Sequence, residues 1–218
     1  DAANHAGITS LIIGDYRLRP SLPGEPEASP TADAQWRLLI AQVRARFRGR
    51  IGFALLLGQD IWPSPPAFLD SVDFIRLETW APLGASGGAS VPDIAFTASA
   101  LLDARVAPLA GRFGKPITLG AYYPSVDGGV TQCVRQSDGS CAPISVFAPD
   151  APSNGYTLDL AEQADVYNGL LIAVAGRPYI TGFSAAGYNA QVALRDQSLS
   201  VRGKPAEKIL TAWYARLR

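Results

Sequence analysis

The 218-residue chain carries 19 lysines and arginines against 19 aspartates and glutamates, and 48% of its residues are apolar, enough for one domain with a sizeable core. The even charge balance excludes the electrostatic footprint of a nucleic-acid or anionic-membrane binder. No apolar run reaches the roughly 18 to 20 residues a bilayer span requires, and with Asp1 first and no methionine the chain reads as a processed or truncated product.

In chain order, short β-rich apolar runs alternate with longer stretches of helical period, the signature of repeated βα units on a parallel sheet. The first run is 8–16. Behind it Trp36, Leu39, Ile40, Val43 and Phe47 recur at helical spacing, with Arg37, Gln42, Arg44 and Arg46 on the other face and Gly49 as the C-terminal stop. The second run, 51–57, leads to a short helix over 68–72, and the third, 74–80, to a long helix over 94–113. After a fourth run at 117–123 comes a helix over 160–174. The last run, 179–184, precedes a closing helix over 205–217 that carries Ile209, Leu210, Trp213 and Leu217. The order is five βα units in one domain, 1–218, and no linker divides it.

Connection lengths are asymmetric. Segments running from a helix into the next strand are short (48–50, Asp73, 114–116 and 176–178), whereas those leaving a strand are long (17–32, 58–66, 81–93, 124–157 and 185–203). In both barrels and doubly wound sheets the functional face lies at the carboxyl ends of the strands, where these elaborated loops sit.

The longest loop holds both cysteines, Cys133 and Cys141, around the turn signal Asp138-Gly139, and this arrangement favours a local disulfide over two reduced thiols. Such a bridge points to an extracellular or cell-surface location. Metal chemistry lacks a histidine pair or cysteine quartet. Phosphate binding lacks a Walker loop, since no lysine follows Gly84-Ala-Ser-Gly-Gly88. The sole histidine, His5, precedes the first strand, and Gly182-Phe-Ser-Ala-Ala-Gly187 is a poor nucleophile elbow. No cofactor is expected.

Two segments carry a resemblance: the tail Ser200-Val-Arg-Gly-Lys-Pro-Ala-Glu-Lys-Ile-Leu-Thr-Ala-Trp-Tyr214 and the strand entry Phe113-Gly-Lys-Pro-Ile-Thr-Leu-Gly120. Both are similar to the closing portion of glycoside-hydrolase TIM barrels related to the β-mannanases, and Glu162-Gln-Ala-Asp-Val-Tyr-Asn168 resembles the helix between strands seven and eight. The resemblance implies an α/β fold made of the last five βα units of a (β/α)8 barrel, strands four to eight. An open doubly wound parallel sheet is the alternative fold. It also implies a polysaccharide or oligosaccharide partner and a sugar-facing cleft.

Retaining enzymes of this kind use a glutamate acid ending strand four and a glutamate nucleophile ending strand seven, about 5 to 5.5 Å apart. Here the strand-four position reads Ile13-Gly14-Asp15-Tyr16, with an aspartate in the acid's place. Strand seven reads Thr118-Leu-Gly-Ala-Tyr-Tyr123, with Ala121 or a neighbour where the nucleophile belongs. The resemblance therefore implies the fold and a cleft more directly than the two-step reaction.

Read from the residues alone, the strand-end carboxylates are Asp15, Asp60, Glu78 and Asp127. Asp15 suits a general acid and Glu78 a second carboxylate, although strand alternation also sets Glu78 beside Arg76 as a structural pair. Asp127, ahead of Gly128-Gly129, suits either a turn or a substrate contact. Tyr16, Trp62, Trp80, Tyr122, Tyr123 and Tyr188 fall at or just past strand ends, where flat side chains pack on pyranose faces, while Trp36 and Trp213 belong to helix packing. Two functions follow: a glycoside-hydrolase-like protein acting on or binding polysaccharide, or a non-catalytic binding or structural barrel with a degenerate site. In either, five strands of eight leave sheet edges that an N-terminal fragment or a partner chain must cover.

Overall fold

The computed structural model describes residues 2–15, 30–57, 65–148, 155–185, 187–190 and 196–216. A short helix, α1 (Ala2–His5), precedes β1 (Ser10–Asp15) and α2 (Pro30–Arg44). Next come β2 (Arg50–Leu57), a 3-10 turn (Ala67–Ser71) and β3 (Phe74–Thr79). The expected long helix is α3 (Val91–Leu101) and α4 (Ala107–Phe113), followed by β4 (Ile117–Ala121), α5 (Leu160–Ala175), β5 (Ile180–Ala185) and α6 (Pro205–Arg216). The five strands are parallel and lie in the order β1-β2-β3-β4-β5. That order never reverses, so the sheet has no topological switch point and is not doubly wound.

By internal contacts the chain forms two compact units, and the division passes through β3, β4 and β5 rather than through a linker. The first comprises Asp1–Glu78, Arg105–Leu119 and Tyr179–Gly182; the second comprises Thr79–Ala104, Gly120–Pro178 and Phe183–Arg218.

In the first unit the alternating side chains of β2 are pinned from α2 and the 3-10 turn. Trp36 stacks on Phe68 at 5.3 Å, and Phe53 meets both rings edge-on at 5.1 Å. Glycines allow this density. A side chain at Gly14 would strike the Phe53 and Trp36 rings, and one at Gly52 would enter the Phe74 ring, over which the Arg50 guanidinium lies at 5.1 Å. Replacing Gly52 by valine should therefore lower stability by about 2–3 kcal/mol through overpacking. A urea-unfolding midpoint measures this, and an unchanged midpoint would show that Phe74 can move aside. Gly49 differs from expectation: it does not adopt the left-handed conformation of a helix stop. Its role is close approach, since a Cβ there would meet the Thr9 carbonyl and the Phe47 ring. The left-handed stop occurs instead at Gly114, φ 62°, after α4.

In the second unit α3 packs on α5, with Gly169 admitting Ile94 into close contact. Ser90 caps α3 by accepting the Asp93 N–H, and Asp159 caps α5 by accepting the Glu162 N–H at 2.8 Å. Between α3 and α4 the helix widens into a π turn, Leu102–Val106. Pro108 has no N–H, and its ring collides with the carbonyl four residues back in a regular helix, so the wider turn relieves the clash. Contrary to the reading of apolar runs, Val91–Phe113 is by length and composition long and apolar enough to cross a membrane. Its Ile94, Ala98 and Leu102 are nonetheless buried in the protein, as in a core helix.

Candidate functional site

The carboxyl ends of the strands hold most of the residues singled out from the sequence, in two sets. In the first unit, Asp15 closes β1 and is half-buried. Glu78 projects from the same face of β3 as Phe74 and Arg76, by alternation. Its Oε1 accepts from Arg76 Nε at 2.8 Å, and the two side chains are 22% and 18% exposed. The carboxylate is thus paired with its strand neighbour. Tyr16, Asp60 and Trp62 lie outside the described residues.

In the second unit β4 ends at Ala121, which is fully buried. The Ala121 carbonyl accepts from the Tyr167 hydroxyl at 3.0 Å. Tyr122 follows, half-buried, and its N–H donates to the Thr79 carbonyl at 3.1 Å. Tyr123 is fully buried and donates to the Ala81 carbonyl at 2.8 Å, and burial pushes its pKa well up. Trp80 is 7% exposed, with its indole N–H donated to the Gly129 carbonyl at 2.9 Å and Phe147 edge-on. Neither Tyr123 nor Trp80 presents a ring to solvent; both are packing residues. Tyr188 is exposed, its hydroxyl donates to Glu207 at 3.0 Å, and Arg202 lies over its ring. The hydrogen bond to Glu207 raises the tyrosine's pKa.

The same unit contains an open cleft of about 590 Å³, lined by 84–87, Asp127, Gly128, Thr131, 133–135 and 155–157. Its walls are the loops that leave β3 and β4, and three devices hold them. Glu162, in the first turn of α5, is buried and accepts backbone N–H groups from Gly88 at 3.3 Å, Gly128 at 3.1 Å and Val130 at 2.8 Å. Burial raises its pKa, and the three N–H bonds offset this only in part. The expected disulfide, Cys133–Cys141, closes the rim with a Cα separation of 4.8 Å. Within that hairpin, Ala142 N–H donates to the Val134 carbonyl and Arg135 Nη1 donates to the Gly139 carbonyl, each at 2.8 Å. Last, Asp127 N–H donates to the Thr157 carbonyl at 3.0 Å, beside the antiparallel bridge between Val126 and Leu158.

A second buried polar cluster lies where the 196–204 segment meets Ser125. Lys204 Nζ donates to Ser125 Oγ and the Ser198 carbonyl, both at 2.9 Å, and pairs with Asp196 at 3.2 Å. Sequence reading passed over both Glu162 and Lys204 as single residues. The capping-box spacing Asp159-x-x-Glu162 was the available signal for the first. A lysine within Arg-Gly-Lys-Pro gives no local sign that it is buried. No group of three or more His, Cys, Asp or Glu side chains among the described residues is arranged to hold a metal ion.

No family model and no curated protein matches the chain. Solved structures do. A GH113 β-1,4-mannanase superimposes with a TM-score of 0.68 at 20% identity over 98% of this chain and 58% of that one. The GH113 β-mannanase from Alicyclobacillus acidocaldarius, in complex with ManMIm, gives 0.65 at 20% identity over 98% and 57%. A β-glucuronidase from Ruminococcus gnavus, in complex with D-glucuronic acid, gives 0.58 at 11% identity over 99% and 33%. At such identities the likeness is one of fold. The chain has the fold of a partial glycosidase-type (β/α) barrel, and it spans 58% of the length of the first mannanase.

Proposed function

We propose that this chain is the carboxyl-side part of an extracellular glycosidase-like barrel that binds a polysaccharide at the carboxyl ends of its strands without hydrolysing it. One observation carries the reading: β4, the counterpart of barrel strand seven, ends on buried Ala121 followed by Tyr122 and Tyr123, with no carboxylate where a retaining enzyme needs its nucleophile. Glu78 does not substitute readily, because it is engaged by Arg76 on its own strand. The structural relatives named as mannanases and glucuronidases act on sugars, which supports a carbohydrate ligand, and the disulfide favours the extracellular location. The position of β1 at one end of the strand order among the described residues, with Ile8 and Ile12 exposed, suits coverage by the remaining strands of a barrel, from the same protein or a partner.

Asp15, at the end of the strand-four counterpart, supports the second reading, an enzyme whose other carboxylate comes from that remaining part. Reducing-end release from β-mannan, β-glucan and xylan, with calorimetric binding to the same polymers, separates the two. Binding without release is expected. Release that Asp15→Asn or Glu78→Gln abolishes would overturn the binding-only reading and assign a catalytic carboxylate.

A further inference from the structure

The loop cleft of the second unit combines features that neither the fold nor its packing requires. Its volume, about 590 Å³, falls within the roughly 300–1,000 Å³ of small-ligand sites. Its lining comprises a side-chain-poor run, 84–87, together with Asp127, Arg135, Tyr156 and two threonines; Arg135 Nη1 already donates to the Gly139 carbonyl and the Thr131 hydroxyl to the Gly128 carbonyl. No deep apolar wall is present for a hydrophobic ligand. Asp127 is the one acidic residue of the lining and Arg135 the one basic residue, so no cluster of like charge marks the cleft for a charged ligand. It offers many donors and acceptors to a neutral one rich in hydroxyls.

The placement of the carboxylate is specific. Asp127 is exposed, and no donor among the described residues bonds to its oxygens. A Cβ at Gly87 would collide with Asp127 Oδ1, so the absence of a side chain there lets the carboxylate lie against the loop backbone. Beneath it Glu162 anchors Gly88 and Gly128, so the loop segments on either side are set before any ligand arrives. Arg135 stands on the disulfide-closed hairpin, and the Tyr156 ring is supported by Phe147 at 5.1 Å.

We propose that this cleft is a subsite for neutral pyranose units of a glycan, in which Asp127 accepts sugar hydroxyls, Arg135 donates to them and the Tyr156 ring packs on a sugar face. The inference rests on the glycan-binding reading above and names one place where the chain performs it. The hairpin disulfide acts as a positioning element, because Arg135 reaches the cleft only while the hairpin keeps its form.

The test is calorimetric titration of the protein with mannan-, cello- and xylo-derived hexasaccharides, repeated with Asp127→Ala, Arg135→Ala and the double replacement Cys133→Ser with Cys141→Ser. A hydrogen bond to a charged group is worth enough that each single substitution should weaken binding about tenfold, with the melting temperature unchanged. The double cysteine variant should weaken it as well. Should Asp127→Ala disturb folding, Arg135→Ala on its exposed hairpin decides. Binding that survives both single substitutions would overturn the subsite while leaving glycan binding intact. Failure of every hexasaccharide to bind would overturn the glycan reading and the subsite together.

Discussion

Replacing Lys204 by methionine is expected to lower the unfolding free energy by about 3–5 kcal/mol, the cost of breaking a buried ion pair from one side. The Lys204 side chain is 4% exposed, and its ammonium is engaged by Ser125 Oγ, the Ser198 carbonyl and the Asp196 carboxylate. Methionine fills similar volume but leaves Asp196, itself 15% exposed, without its cation. Burial works against the Asp196 charge, yet hydrogen bonds from Ser198 and the Lys204 charge hold its pKa below the ordinary value. Burial also lowers the pKa of Lys204, and Asp196 opposes the shift only in part. Between that lowered value and the ordinary lysine value the unfolded chain carries the extra proton, so stability should rise with pH across that alkaline window. The methionine variant should lose this slope. Adding Asp196→Asn should recover part of the lost stability, since the remaining carbonyl is neutral. A double-mutant cycle in urea would measure the coupling, and strict additivity would refute the pairing.

Truncating Glu162 to alanine comes next, with an expected loss of about 3 kcal/mol. Three backbone N–H groups, of Gly88, Gly128 and Val130, share its carboxylate, and a buried donor left without an acceptor costs about 1–3 kcal/mol. Part of that cost is relieved because Gly88 is exposed and can bond to water. The pH dependence has a definite sign. Burial raises the folded-state pKa of Glu162, so from the ordinary glutamate value up to the folded one the native chain holds a proton that the unfolded chain has released. Stability from this group is full below that window and is lost as pH rises through it. Glu162→Gln should abolish that slope. Urea midpoints between mildly acid and neutral pH would check it, and identical slopes in both proteins would place the charge in solvent.

These two residues mark a limit of reading the chain by pattern. Hydrophobic period and turn chemistry located all five strands to within two residues or so, because each strand is a short apolar-rich run bounded by glycine, proline or charge. They also located the disulfide, since Asp138-Gly139 between the cysteines is a local signal. Lys204 and Asp196, by contrast, look like ordinary surface residues of a loop, and only the return of the 196–204 segment onto Ser125 encloses them. The π turn escaped for a related reason: Pro108 marks a disturbance, but whether a helix ends, kinks or widens there depends on what its faces pack against.

Aromatic residues show the same division. Trp80 and Tyr123 fall at strand ends in the sequence as readily as Tyr122, yet the first two are buried against Gly129 and Ala81 and the third is half-exposed. Alternation assigns a side chain to one face of a strand, but which face a later loop covers is set by residues far along the chain. Glu78 followed the local rule completely, because its partner Arg76 is two residues away on the same face.

What the sequence by itself determined is therefore what is encoded over a few residues: the βα alternation, the short and long sides of the sheet, the hairpin disulfide, the Arg76–Glu78 pair and the lack of a carboxylate at the end of β4. The tertiary structure decided for the barrel portion that the resemblance implied over the doubly wound alternative, and it alone revealed the buried anchors Glu162 and Lys204 and the cleft that sets Asp127 and Arg135 among its walls. Those features arise from contacts between segments tens of residues apart, whose closure depends on packing and burial rather than on any local preference of the chain.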